Sequence, residues 1–301
     1  MSDYDVIVVG SGVAGLSATK QLLVASPRLR VANIEALSFG GLVLNVNDLD
    51  GAITGSGAEF AANLMMEATE LGAVSLSERV TGMTRDGAGW KVTTEEGEHR
   101  AKTVILASGA TLKKLGVPGE NEFEYKGVSH CADCDGPLFT GKDVVVVGGG
   151  DSALQETHTL SQYCRTVVLL NRGAQFTAKP HLVEAVAGCA NVDVRHQTEV
   201  TAIVGGQTVE KVRTRNVADH ASGEIPCSGF FAFVGLVPAS DFAPASLGRD
   251  ATGHIKTDDS LKADDGLFVA GALRAGHRGM IEDAVAEGRA AAEEAVRLLR
   301  L

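Results

Sequence analysis

The chain has 301 residues, 45% hydrophobic and 22% charged, a balance that suits a globular protein long enough for two domains. Its net charge of −11 argues against nucleic acid as a partner, and against docking on an acidic membrane surface. No apolar run reaches the roughly 18–20 residues that span a bilayer. The opening "MSDYDVIVVG" lacks the pattern of a secretory leader, so a cytoplasmic location is expected.

Residues 5–22, "DVIVVGSGVAGLSATKQL", read as a β-branched strand, a glycine turn and a helix. The turn is Gly10-x-Gly12-x-x-Gly15. In this context glycines let the backbone approach a pyrophosphate, and the helix N-terminus offers it free N–H groups. "RVANIEA" then supplies a second strand ending at Glu35, an acid placed to accept hydrogen bonds from ribose hydroxyls. Residues 87–110 read as alternating strands, then a short buried strand and the turn Ser108-Gly109-Ala110. "LKKLGVPGENEF" (112–123) reads as a linker.

Next comes "HCADCDG" (130–136), with Cys131 and Cys134 two residues apart. The spacing fits half a zinc site, a structural disulfide or a redox pair. No second Cys/His pair of suitable spacing completes a zinc site, so no metal is expected. Five cysteines, scattered apart from this pair, do not make a disulfide scaffold. Redox use is the leading reading. Cys164, Cys189 and Cys227 read as ordinary small residues, inert if buried.

Residues 143–160, "DVVVVGGGDSALQETHTL", echo residues 5–22, with Gly148-x-Gly150-x-x-Ala153 in place of the first turn. The strand that follows, "RTVVLLNR", ends at Asn171-Arg172 without an acid, and the positive charge suits a 2′-phosphate. Two dinucleotide folds imply two dinucleotides, a flavin and a nicotinamide. An apolar strand and Pro-containing turns at 230–244 make a second linker. The tail from 266 gives a strand, a Gly-rich turn and a long amphipathic helix that return to the first domain.

These motifs together resemble the low-molecular-weight thioredoxin reductases over nearly the whole chain. The resemblance rests on "GSGVAGLSA" (10–18), Gly40-Gly41, "ASGATLKKLGVPGE" (107–120), "GVSHCADCDGPLF" (127–139), "VVVVGGGDSALQE" (144–156) and "FVGLVP" (233–238). It implies an α/β fold of two Rossmann-like domains of three-layer ββα type, the nicotinamide domain (115–240) inserted into a discontinuous FAD domain (1–114 and 241–301). Gly10, Gly12, Gly15, Glu35, Gly40, Gly41, Ser108, Gly109, Gly271 and Arg278 would serve FAD. Gly148, Gly150, Asp151, Ser152, Ala153 and Arg172 would serve NADPH or NADH. Electrons would pass from nicotinamide to flavin, to the Cys131–Cys134 disulfide, and on to thioredoxin or a similar dithiol protein. By resemblance Cys131 attacks the partner, Cys134 faces the flavin, and Asp135 moves a proton to or from a departing thiolate. A homodimer is implied too, as is rotation of one domain about hinges near 113–119 and 236–243.

The chain departs from the family pattern at several positions. "NRGAQFT" keeps Arg172 of an arginine run but has Gly173 and Thr177 where two further arginines stand, which opens the donor to NADPH, NADH or another source. Ala272 replaces an Asp beside the flavin, Gly279 follows Arg278 in place of Gln, and Leu42 stands where Gln is common. Three alternatives follow: a dithiol oxidase acting on a small molecule with oxygen as acceptor, a reductase fed by ferredoxin, and a non-catalytic flavoprotein. The set Cys131, Cys134 and Asp135 speaks against the last, because a scaffold needs no exchangeable disulfide.

Overall fold

The computed structural model describes residues 3–46, 49 and 53–299. The chain divides into two units, 1–111 with 237–301, and 112–236.

The first unit begins with β1 (Tyr4–Val9), α1 (Val13–Ala25), β2 (Val31–Ile34), α2 (Gly57–Glu70) and β3 (Val74–Leu76). β4 (Val80–Asp86) and β5 (Gly89–Thr94) form an antiparallel hairpin. It continues into β6 (Glu98–Leu106), whose second half, from Ala101, pairs parallel to β1. β7 (Ala110–Leu112) leads into the second unit.

There β8 (Val128–Ser129) and the one-turn α3 (Ala132–Asp135) precede β9 (Asp143–Val147), α4 (Asp151–Ser161), β10 (Thr166–Leu170), α5 (Pro180–Ala187) and β11 (Val192–Arg195). An antiparallel meander follows: β12 (Thr198–Gly205), β13 (Val209–Asn216) and β14 (Ser222–Pro226). β15 (Gly229–Ala232) closes the parallel sheet, and β16 (Leu236–Pro238), which pairs with β7, carries the chain back. The first unit then gains β17 (Lys262–Asp264), β18 (Leu267–Val269) and α6 (Ile281–Leu299).

Each unit is a central sheet between helices and a meander. In the first, the strand order is β17-β18-β6-β1-β2-β3. Val6, Val8, Ile105 and Phe268 pack under α1 and α6 on one face, while Ile7, Val9, Val104 and Leu106 pack with Trp90 and Val92 on the other. Alternation along each strand sends neighbours to opposite faces, and both faces are buried, which is why these strands read as unbroken apolar runs. The second unit has the order β11-β10-β9-β15-β8. Val144, Val146 and Phe231 face α4, and Val145, Val147 and Phe230 face the meander residues Val212 and Ile225.

In both sheets the strand order reverses at the strand before a glycine turn, β1 in one and β9 in the other. Such a reversal, beyond the strand ends, is the place where open α/β sheets take their ligands.

Candidate functional site

In the first unit, the loop after β1 is braced from below. Asn33 on β2 donates from Nδ2 to the Gly10 carbonyl (3.0 Å) and Thr19 Oγ1 (3.3 Å), and its Oδ1 accepts from the Ser11 hydroxyl. Ser11 N–H donates to Glu35 Oε2 (2.9 Å), and Leu37 N–H donates to Glu35 Oε1 (3.2 Å). Both Glu35 oxygens are thus oriented, and each keeps a lone pair for a ribose hydroxyl. Gly40 N–H donates to the Ser11 carbonyl at 2.7 Å, which brings the Gly40-Gly41 pair onto the same loop.

Three glycines do three jobs. A Cβ on Gly10 would lie 2.3 Å from the Ala107 carbonyl oxygen, and one on Gly15 would lie 1.9 Å from the Gly10 carbonyl oxygen. The first lets the loop lie against the end of β6, and the second lets α1 lie against the loop. A Cβ on Gly12 would meet only the Gly40 carbonyl oxygen, at 3.9 Å. That space, at the N-terminus of a helix with neither a side-chain cap nor an acid in its first turn, fits a pyrophosphate. The FAD fingerprint fits its group.

The remaining residues expected at the flavin divide. Ser108 Oγ donates to the Ala239 carbonyl (2.8 Å), and Gly109 accepts from Ala239 N–H (3.0 Å), so this turn holds the returning chain. Arg278 points outward, its side chain 78% exposed and paired with Asp283. Gly271 N–H donates to Glu287 Oε2 on α6 (2.8 Å). Glu287 Oε1 also accepts from Arg274 (2.6 Å) and lies 3.2 Å from His277 Nδ1. Burial would raise the Glu287 pKa, but hydrogen bonds from His277, Arg274 and Gly271 outweigh it and hold the carboxyl at about 2. Beside Ala272, then, a carboxylate from α6 organises the turn.

The second unit repeats the plan. A Cβ on Gly148 would lie 2.4 Å from the Phe233 carbonyl oxygen and 2.6 Å from Ala153 Cβ, so Ala153, fully buried, is a packing residue. Gly150 is open except for Thr177 Oγ1 at 3.9 Å, and it caps α4 without a side chain. This cradle fits a dinucleotide phosphate. Ser152 is exposed at its rim. Asp151 accepts Lys179 N–H at 2.8 Å, which with the Lys179 ammonium 3.4 Å away holds its carboxyl below the usual range. Asn171 is buried: it accepts Gly173 N–H (3.1 Å) and donates to the Gln175 carbonyl (2.8 Å). Arg172 and Thr177 are exposed on the loop Asn171 folds.

On the same unit, Cys131 and Cys134 are disulfide-bonded, their Cα atoms 5.3 Å apart, at the start of α3. Cys134 is exposed and Cys131 is 8% exposed. Asp135 is anchored by Ser129, whose hydroxyl donates to Asp135 Oδ2 at 2.6 Å and accepts Cys131 N–H at 3.3 Å. Behind the turn, Glu156 on α4 accepts Ala132 N–H at 2.7 Å. Burial first, and then the charge of Asp133, push the Glu156 carboxyl up to about 7 despite that hydrogen bond. Once reduced, the pair can exchange with a substrate disulfide, and two acids, Asp135 through Ser129 and Glu156 through Ala132 N–H, are tied to its turn.

Among the free cysteines, Cys164 and Cys227 are buried, and burial pushes their thiols up to about 11 and about 12. Cys189 is half-buried and takes a hydrogen bond from Ser161 Oγ at 3.3 Å. Asn33, Ser129, Glu156 and Glu287 escaped the sequence reading. Each acts through a contact between elements, and only the third and fourth carry a charge. No helix among the described residues is long and apolar enough to cross a membrane.

The sequence profile of the pyridine nucleotide-disulphide oxidoreductases matches residues 4–291. The thioredoxin reductase of Treponema pallidum is 37% identical over 299 residues, covering 98% of this chain and 96% of that one. That of Peptoclostridium acidaminophilum is 32% identical, covering 97% and 96%. Among solved structures, the Lactococcus lactis thioredoxin reductase aligns with a TM-score of 0.91 at 30% identity, covering 99% of this chain and 100% of that one. The T. acidophilum thioredoxin reductase aligns at 0.89 and 28% identity, with both chains covered in full. The chain therefore belongs to the pyridine nucleotide-disulphide oxidoreductases and, within them, to the low-molecular-weight thioredoxin reductase family of flavin-dependent disulfide reductases.

Proposed function

We propose that this chain draws two electrons from a nicotinamide dinucleotide and delivers them, through FAD and the Cys131–Cys134 disulfide, to the disulfide of a thioredoxin-like protein. The observation that carries the reading is an exchangeable disulfide, with Asp135 held beside it by Ser129, on a unit that repeats the dinucleotide-binding plan of the first. FAD, when bound, accepts a hydride from the nicotinamide and passes an electron pair to the disulfide.

The chain's own residues do the rest. Gly12 and the N-terminus of α1 bind the FAD pyrophosphate, and Glu35 orients its ribose. Gly150 and the N-terminus of α4 do the same for the nicotinamide dinucleotide. Cys131 attacks the partner, and Asp135 supplies or takes the proton of a departing thiolate. Leu138 and Tyr125, 68% and 93% exposed, lie in the segments just after and before the pair and favour a protein partner over a small dithiol.

Arg172 is the one guanidinium of the former arginine run, and Asn171 adds no negative charge to oppose a 2′-phosphate. A single partly screened contact of ~0.5–2 kcal/mol gives NADPH a preference over NADH of about 2- to 30-fold. The same reading expects a homodimer, and a cytoplasmic location in which Cys164, Cys189 and Cys227 stay reduced.

The test is an anaerobic titration of the flavin-loaded enzyme with each nucleotide, followed by assay against a thioredoxin disulfide. Bleaching of the flavin and turnover lost in Cys131→Ser are expected. A flavin that neither nucleotide bleaches, or turnover that survives Cys131→Ser, refutes the assignment. Asp135→Asn should slow thiol exchange and spare flavin reduction; equal slowing of both removes its proposed role.

A further inference from the structure

We propose that Glu156 is a positioning residue of the redox turn whose ionisation restrains thiolate formation by the reduced Cys131/Cys134 pair, which makes thiol–disulfide exchange sensitive to pH through α4. The inference rests on the reading of that pair as redox-active.

Helical spacing puts Glu156 between the buried Ala153 and Leu160, on the flank of α4 that meets α3. Its carboxylate takes Ala132 N–H at 2.7 Å, the first N–H inside the segment the two cysteines bracket. One residue thus joins the helix that opens at the dinucleotide turn to the turn that carries the sulfurs. From α3, Asp133 faces it, while Asp135 on the same turn is held by Ser129. From α5, β9 and β10, the other elements packed on α4, no charge among the described residues bears on it. Among the described residues no cation stabilises the carboxylate, and burial with Asp133 pushes it up to about 7.

In the exchange, the attacking thiol gives up its proton and its sulfur bonds to one substrate sulfur as the substrate S–S bond breaks. The departing thiolate takes a proton. The second cysteine then closes the Cys131–Cys134 bond and releases the second substrate thiol, so atoms, protons and the electron pair balance. A carboxylate behind the turn opposes the first step, because a second negative charge nearby raises a thiol's pKa. When Glu156 is protonated its carbonyl oxygen still accepts Ala132 N–H, so position is kept and only the field changes.

The test is the rate of iodoacetamide alkylation of Cys131 and Cys134 in the reduced, flavin-loaded enzyme, with peptide mapping to separate the other three cysteines. Glu156→Gln keeps an acceptor for Ala132 N–H and removes the charge. The ratio of its rate to that of the wild type should be about 1 at pH 6, where Glu156 is mostly protonated, and rise to ~2 at pH 8.5, where a thiol of ordinary pKa is about half ionised and a modest field still changes its thiolate fraction. A ratio that stays at 1 across the range overturns the proposal and leaves Glu156 a structural cap. Asp133→Asn guards against a poorly folded Glu156 variant: with less repulsion, Glu156 ionises at lower pH, and the bend in the alkylation profile should move down with it. A bend that does not move overturns the proposal. Alkylation reads this field whether or not the enzyme turns over, so failure here is separate from failure of the reductase reading.

Discussion

Gly12→Ala separates folding from flavin binding. Gly12 sits at φ −75° and ψ −177°, extended backbone that alanine adopts without strain. The new methyl would approach only the Gly40 carbonyl oxygen, at 3.9 Å. The flavin-free protein should therefore melt at or slightly above the wild-type temperature, since alanine costs the unfolded chain entropy worth ~0.4–1 kcal/mol. If this loop holds the FAD pyrophosphate as proposed, the same methyl would fill the space that group needs against the first N–H groups of α1. Losing two charge-assisted hydrogen bonds at ~1.5–3 kcal/mol each weakens FAD binding by ~3–6 kcal/mol, roughly a hundred- to ten-thousand-fold in Kd. Gly15→Ala is the contrast. Its methyl would lie 1.9 Å from the Gly10 carbonyl oxygen, so α1 must leave the strand and the flavin-free fold itself should lose ~1–3 kcal/mol. Thermal melts of the stripped proteins, with fluorescence titration of FAD, read both quantities. Gly12→Ala binding FAD within threefold of wild type would refute the assignment of this loop to the pyrophosphate. A flavin-free melt depressed as far as that of Gly15→Ala would refute the steric argument.

Cys134→Ser should trap a stable mixed disulfide between Cys131 and a thioredoxin that lacks its own resolving cysteine, seen by mass spectrometry; trapping only in Cys131→Ser would reverse the two roles, as the greater exposure of Cys134 would allow. Arg172→Ala should raise the NADPH Kd about 2- to 30-fold in an anaerobic titration and leave NADH unchanged; an equal effect on both would take the 2′-phosphate away from Arg172. Glu287 has a folded-state pKa of about 2 against an ordinary 4.5, so its contribution to stability is present above about 4.5 and lost as pH falls toward 2. Glu287→Gln should melt below the wild type at pH 7, with the gap closing over that acid window; a gap that does not change with pH would show that its charge is not what holds the turn.

The chemistry-bearing motifs were legible because each is local. A β-branched run, glycines at fixed spacing and a helical pattern sit within about 18 residues, and the same string occurs twice. The structure lets the two copies be laid over each other. Val9 pairs with Ile34 and Val147 with Leu170, so Glu35 and Asn171 occupy the same station after the second strand. The absence of an acid at that station is plain in the sequence. The inward turn of Asn171 is not: it takes Gly173 N–H and gives to the Gln175 carbonyl, which folds the loop that displays Arg172.

Long-range partners explain the rest. Asn33 reaches the Gly10 carbonyl 23 residues away, Glu156 reaches Ala132 across 24, and Glu287 reaches Gly271 across 16. None of these spacings follows a helix or strand period, so no pattern within a window reveals them. Each partner is fixed only when separate elements pack. The turn that carries Ala272 and Arg278 shows the same limit from the other side. Judged position by position, the turn after β18 has given up a carboxylate and kept an arginine. In the fold that arginine pairs with Asp283 at the surface, and the negative charge at the turn comes instead from α6. A motif compared residue by residue records which side chains changed; only the packing shows that a carboxylate from α6, Glu287, ties Gly271, Arg274 and His277 together at that turn.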